Sequence, residues 1–109
     1  MNHSYHKSIE ACLEAMNVCN LCYVSSLKEY DLALLRDFLR LTRECAEICS
    51  FAAQSLGRGT EFAAEICELC AKACEACARE CGKHNHEHCQ ACAEACLRCA
   101  EACRIMSGA

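Results

Sequence analysis

The chain has 109 residues, which suits one domain (1–109) and is too short for two. Its net charge of -4 gives no basic surface for nucleic acid, and it contains no run of 18 apolar residues that could span a membrane, so we expect neither partner. The lack of proline and the presence of only four glycines favour long helices over strands.

The first two predicted helices mix cysteine with larger apolar residues. Helix 1 is expected over about 4–29, and helix 2 over about 31–56 with Asp31 as its N-cap and Gly57 and Gly59 after its end. The stripe of helix 1 is predicted as Tyr5, Ile9, Cys12, Met16, Cys19 and Tyr23, with Cys22 at its margin. The stripe of helix 2 is predicted as Leu35, Phe38, Thr42, Cys45, Cys49, Ala52 and Leu56.

The next two predicted helices each carry a continuous line of thiols. Thr60 is expected to cap helix 3, Gly82 to end it, and Asn85 to cap helix 4, which runs to about Met106. The repeated cysteines are Cys67, Cys70, Cys74, Cys77 and Cys81, then Cys89, Cys92, Cys96, Cys99 and Cys103. Their gaps of 3, 4, 3 and 4 hold the side chains on one face of a helix that turns every 3.6 residues.

Four helices of similar length with short connections predict an all-α, antiparallel up-down-up-down four-helix bundle with a cysteine-lined core. The charged residues of helices 3 and 4 avoid the stripe, and alanines flank it, which allows the helices to approach closely. Ion pairs are expected within each helix, namely Glu68–Lys72, Glu75–Arg79 and Glu94–Arg98.

Cysteine at this level is typical of secreted disulfide scaffolds, but three features favour free thiols. The count of 15 is odd, and the polar N-terminus MNHSYHKS lacks the apolar core of a signal peptide. Cysteines three or four apart on a helix have Cβ atoms about 5–6 Å apart, beyond the roughly 4 Å of a disulfide. Disulfides between helices stay open as an alternative, although intracellular thiols are usually reduced, and we expect a cytoplasmic protein.

A core of this many thiols indicates a metal, since bare buried thiolates are very costly. Cu(I) is soft and singly charged, so one ion per thiolate leaves the core neutral, whereas Zn(II) takes four ligands and leaves a negative site. A straight helix also suits an iron–sulfur cluster poorly. The pattern therefore favours many Cu(I) ions, although softness alone also admits Ag(I), Cd(II) and Hg(II).

The segment CELCAKACEACAREC, followed by GKHNHEHC and QACAEACLRCAEAC, resembles the cysteine-rich four-helix-bundle copper storage proteins of the cytosolic branch. That resemblance covers essentially the whole chain and implies a homotetramer of bundles, each storing many Cu(I) ions along its core. The alternatives are an iron–sulfur electron-transfer protein and a protein that sequesters Zn(II) or Cd(II). No paired carboxylates, Ser–His–Asp order or phosphate loop indicate an enzyme.

The candidate metal ligands are the cysteines and two histidines of the helix 3–helix 4 turn. They are Cys12, Cys19, Cys22, Cys45, Cys49, Cys67, Cys70, Cys74, Cys77, Cys81, Cys89, Cys92, Cys96, Cys99, Cys103, His84 and His88. His84 continues the rhythm of helix 3 one step beyond Cys81, and His88 directly precedes Cys89, although a solvated loop is the alternative. Met16 is expected to fill space, and a thioether ligand there is the minority interpretation.

Two further expectations concern the ends and the surface of the bundle. Ions are predicted to enter at the histidine end, because an apolar plug of Ile9, Leu56 and Phe62 is expected at the opposite end. Oligomerisation through helices 1 and 2 is predicted from apolar residues that cannot all face a thin core, namely Leu13, Leu21, Val24, Leu32 and Leu39.

Overall fold

The structure is a computed structural model that describes residues 3–108, with side chains from residue 5 onward. Its regular elements are α1 (His3–Ser26), a short 3-10 helix (Leu32–Leu35), α2 (Arg36–Gly57), α3 (Ala63–Cys81) and α4 (Glu87–Ser107). The predicted all-α class is therefore confirmed. None of these described helices has the length and apolar character that crossing a membrane requires.

The four helices form a closed ring of neighbours in a bundle about 45 Å long. α1 packs against α2 and α4, and α3 packs against the same two helices. Because short turns join consecutive helices, neighbours run antiparallel, which gives the up-down-up-down arrangement that the sequence predicts. The α1–α2 and α3–α4 turns therefore share one end, which we call the histidine end.

The ends of the helices differ in detail from the predicted caps. Asp31 precedes the 3-10 helix rather than α2, and its side chain makes no capping hydrogen bond. Thr60 lies three residues before α3, where its Oγ1 accepts a hydrogen bond from the Phe62 N–H. His86 rather than Asn85 precedes α4. The predicted end of helix 2 at its glycines is found, since α2 ends at Gly57 and Gly59 turns the chain with a φ of 72°.

The buried stripe of α1 is rotated from the predicted one. The buried residues are Ser8, Cys12, Ala15, Cys19, Cys22 and Ser26, which keep the 4, 3, 4, 3, 4 rhythm. Tyr5, Ile9, Met16 and Tyr23 are only half-buried. Cysteine and alanine faces surround the bundle axis, so the space there admits only small side chains of α1. Its bulky side chains lie to either side, towards the neighbouring helices. Cys22 is consequently central rather than marginal.

The predicted stripes of α2, α3 and α4 are all buried, and they place large apolar residues at both ends of the core. Leu35 and Phe38 lie at the histidine end, where Phe38 packs against His84. Leu56 and Ile66 lie at the opposite end, where Ile9 is half-buried. Phe62 is 56% exposed, so the prediction that it belongs to an apolar plug is wrong. It precedes α3 in a surface turn.

One of the three predicted ion pairs forms, and a residue from each of the other two pairs with a different helix instead. Glu68 and Lys72 lie 3.6 Å apart within α3, as predicted. Glu75, however, accepts two hydrogen bonds from Arg104 of α4, at 2.8 and 3.2 Å, and Arg98 of α4 contacts Glu14 of α1 at 3.0 Å. The alanine flanks bring the helices close enough for each guanidinium to reach across. The Arg104 hydrogen bonds hold the pKa of Glu75 below its ordinary value.

Candidate metal centre

All fifteen cysteines are free thiols in the interior of the bundle. None is more than 1% exposed, including Cys22 and Cys89 near the histidine end. Ten come from α3 and α4, three from α1 and two from α2. Because four helices contribute, the sulfur atoms form a single column along the axis, which we call the thiol column.

Neighbouring sulfur atoms in the thiol column are in contact. Cys12 Sγ lies 3.7 Å from Cys99 and 3.8 Å from Cys70. Cys49 Sγ lies 3.6 Å from Cys74, and Cys19 Sγ lies 3.6 Å from Cys92. A metal–sulfur bond of about 2.3 Å places two sulfurs on one ion roughly 3.8 to 4.6 Å apart, depending on coordination number. The sulfur–sulfur distances are thus at or just below the lower end of this range, so small side-chain movements would let one ion join two sulfurs.

The sulfurs gather into overlapping groups whose ligand atoms lie within 4.8 Å of one another. These groups include Cys12–Cys70–Cys99–Cys103, Cys49–Cys70–Cys74–Cys99, Cys19–Cys45–Cys77–Cys96 and Cys77–Cys81–Cys92. Cys70 and Cys99 belong to two groups, and so does Cys77. A thiolate shared between groups can bridge two ions, so the arrangement supports a connected cluster of ions rather than isolated sites.

Without metal, burial favours the neutral form of the thiols in the column. Burial raises the pKa of Cys89 to about 11, and the Cys103 sulfur together with burial raises the pKa of Cys67. Within the column, neighbouring thiols also form hydrogen bonds with one another, and those from Cys19 and Cys49 lower the pKa of Cys45. Burial opposes charge at every position. Ions that bind here therefore displace protons.

The histidine end carries a mixed nitrogen and sulfur group. His88 Nδ1 lies 3.3 Å from Cys22 Sγ and 3.5 Å from Cys89 Sγ, and the three residues could hold one ion. The other ring nitrogen, Nε2, lies 3.2 Å from Glu29 Oε1. The structure therefore brings His88 together with the column, as the sequence predicts, through Cys22 as well as Cys89.

The other two histidines of this turn occupy different surroundings. His84 packs edge-on against Phe38, with ring centroids 5.4 Å apart, and its carbonyl accepts a hydrogen bond from Gln90. His86 stacks on His88 at 5.2 Å, with ring planes 8° apart. Its ring nitrogens lie 3.5 Å from Glu29 and 3.5 Å from Asp31. Metal ligation by His84 and His88 stays a prediction.

Sequence reasoning missed Glu29, whose carboxylate contacts both His86 and His88. The only signal for it was that the α1–α2 turn shares an end with the histidines, and a turn carries no periodicity that identifies one side chain. Met16 is half-buried against the core and lines a surface groove with Asn20 and Arg43, so it packs beside the buried stripe rather than on it, where the sequence places it.

Comparison with known proteins agrees with this geometry. The family model described as "Copper storage protein" matches residues 1–108. The chain belongs to the copper storage protein family. Family membership, predicted from the doubled cysteine repeat, is thereby confirmed.

Three relatives illustrate the similarity. The Cu(I)-bound copper storage protein BsCsp3 is 48% identical, with a TM-score of 0.92 over 96% of this chain and 99% of that one. A cytosolic copper storage protein from Streptomyces lividans, with five coppers, is 34% identical, with a TM-score of 0.93 over 97% of this chain and 93% of that one. The cysteine-rich protein YhjQ of Bacillus subtilis is 52% identical over 80 residues, 73% of this chain and 74% of that protein.

These similarities confirm the four-helix bundle and the predicted function of copper storage, with copper as the ion. The individual ligands stay predictions that rest on the geometry of the thiol column.

Proposed function

We propose that the chain stores many Cu(I) ions, about one per thiol, along the thiol column. The observation that carries this proposal is the continuity of the column: fifteen buried, unpaired thiols from four helices, with sulfur contacts of 3.6 to 4.0 Å. Leucine or alanine would fill the same space without the risk of oxidation, so packing alone does not account for the sulfur.

Charge selects the ion. Fifteen thiolates bring fifteen negative charges into an interior with little compensating charge. About four tetrahedral divalent ions would neutralise only about half of them, whereas one Cu(I) per thiolate leaves the core neutral. Because a buried uncompensated charge is very costly, the monovalent soft ion fits this column better than Zn(II) or Cd(II).

Burial supports storage rather than catalysis. A reactive cysteine sits in a partly exposed, electropositive setting that lowers the pKa of its thiol. The thiols here are shielded from solvent, so none has the exposure that a reacting nucleophile needs. We infer that the protein is not an enzyme. Storage in the cytosol is part of the proposal, supported by the Streptomyces lividans relative, which is described as cytosolic.

One anaerobic titration of the reduced protein with Cu(I), against a competing chelator, tests the proposal. We expect the protein to withdraw about fifteen ions before the chelator competes, one for each thiolate. Saturation at about four Cu(I) ions would indicate that each ion takes about four thiolates and would contradict the proposal. A visible brown chromophore in protein as purified would instead indicate iron–sulfur clusters.

Assembly into a homotetramer is a second part of the proposal. Leu13, Leu21, Val24 and Leu32 are 40 to 65% exposed on α1 and at the start of the 3-10 helix, while Leu39 is half-buried. Covering such residues in a subunit interface would remove apolar surface from water. Light scattering of the reduced protein at micromolar concentration should report about four chains per particle. A monomer would contradict this part of the proposal without affecting storage.

A further inference from the structure

The outermost donor group of the thiol column is linked to a carboxylate from the opposite turn. His88 follows the α3–α4 turn, and Glu29 lies in the turn after α1. The Glu29 backbone N–H donates to the Ser26 carbonyl at 3.1 Å, which anchors that turn to the end of α1. The Glu29 side chain is 28% exposed and that of His88 is 18% exposed, so their contact is partly shielded from water.

The hydrogen-bond network assigns one tautomer to a neutral His88 ring. An ionised carboxylate only accepts hydrogen bonds, so Glu29 Oε1 at 3.2 Å requires the proton to lie on Nε2. Nδ1 then carries no proton, and it lies 3.3 Å from Cys22 Sγ and 3.5 Å from Cys89 Sγ. The opposite tautomer would set the Nε2 lone pair against the carboxylate.

The same carboxylate also holds the stacked histidine. Glu29 Oε2 lies 3.5 Å from His86 Nδ1, while Oε1 contacts His88, and the two rings stack nearly parallel. Asp31 reaches only His86, at 3.5 Å from Nε2. Glu29 is therefore placed to set the orientation of both rings, whereas Asp31 shares the local negative charge but makes no such contact with His88.

We propose that Glu29 is a positioning residue, which by accepting the Nε2–H of His88 holds the bare Nδ1 towards Cys22 and Cys89, ready to take an incoming Cu(I) ion. This inference rests on the proposed function. Carboxylates that orient a ligating histidine in this way typically change metal affinity or activity by about 10–100-fold. Near solvent we expect the lower end of that range, so Glu29→Ala should slow the transfer of the first Cu(I) about tenfold.

The first experiment needs no copper. In the metal-free protein labelled with ¹⁵N-histidine, long-range proton–nitrogen correlation at neutral to mildly alkaline pH should show His88 with a protonated Nε2, an unprotonated Nδ1 and a slowly exchanging Nε2–H. The slow exchange should be lost in Glu29→Ala and kept in Asp31→Asn. A protonated Nδ1 in the parent protein, or slow exchange that survives Glu29→Ala, would overturn the proposal.

The second experiment separates positioning from simple attraction of a cation. The stopped-flow rate of Cu(I) transfer from a chelator is measured for Glu29→Ala, Glu29→Gln, Asp31→Asn and the matched control Glu47→Ala, whose carboxylate pairs with Arg43 on the outer face of α2. A glutamine amide oxygen can still accept the Nε2–H, so Glu29→Gln should retain most of the rate, and the two controls should match the parent. If Glu29→Gln and Asp31→Asn slow transfer as much as Glu29→Ala, charge alone acts and the proposal fails.

Two further readouts keep the outcomes distinct. Replacing both Glu29 and His88 with alanine should slow transfer no more than His88→Ala alone, because Glu29 acts through that ring. Additive losses would overturn the proposal. Total capacity should be unchanged in the single variants of Glu29, Asp31 and Glu47, which alter no candidate ligand. A low capacity in the parent protein would refute copper storage itself, while the tautomer measurement would still judge the role of Glu29.

Discussion

Removing one shared sulfur should cost the protein more than one copper ion. Cys70 Sγ lies 3.8 Å from Cys12, 3.8 Å from Cys49 and 3.9 Å from Cys99. It also belongs to two of the four-sulfur groups. If thiolates at this position bridge ions, Cys70→Ala should lower the capacity by about two to three ions from about fifteen. Cys89→Ala, at the end of the column, should lower it by about one.

Anaerobic loading followed by native mass spectrometry counts the ions directly, and competition with a chelator reports how tightly the remaining ones are held. Each substitution removes a single buried sulfur, so the bundle should persist, and far-UV circular dichroism of both variants checks this. Equal losses of one ion in Cys70→Ala and Cys89→Ala would show that the sites are independent, and would refute the argument from shared sulfurs.

Three other expectations follow from the same structure. The reduced, metal-free protein should give a strongly helical far-UV spectrum, because burial and ion pairs stabilise the helices without metal; a coil spectrum that becomes helical only with Cu(I) would contradict this. Replacing His84, His86 and His88 together with alanine should slow Cu(I) uptake or removal while leaving capacity nearly unchanged, and unchanged stopped-flow rates would remove the histidines from the uptake path. Burial raises the pKa of Cys89 from 9.0 to about 11. The stability that the neutral Cys89 thiol contributes is therefore present below pH 9 and is lost as pH rises towards 11. Thermal melts of the metal-free protein should therefore fall over that range, and a constant melting temperature would refute the shift.

The α3 and α4 half of the molecule was predictable because its signal is local. Gaps of 3 and 4, repeated in both helices, place five cysteines on one face of each helix whatever the surroundings, and all ten are buried. The chemistry followed from the residue type, since only metal binding accounts for so many thiols in one core. The glycine stop of α2 is similarly a property of a few adjacent residues.

The α1 face could not be decided locally, because two helical stripes share Cys12 and Cys19. One stripe continues through Ile9 and Met16, and the other through Ala15 and Cys22. Hydrophobicity favours the bulkier set, but the space left between the thiol-bearing faces of the other helices admits the smaller one, and that space exists only once the bundle is assembled.

The contacts at the histidine end depend on tertiary structure for a related reason. Glu29 and His88 are 59 residues apart, and the bundle topology brings their two turns to the same end. The ion pairs of Arg98 and Arg104 likewise cross between helices, although partners at helical spacing were available along the chain. Sequence periodicity determines which residues share a face of one helix, whereas contacts between helices depend on the distance at which the helices pack.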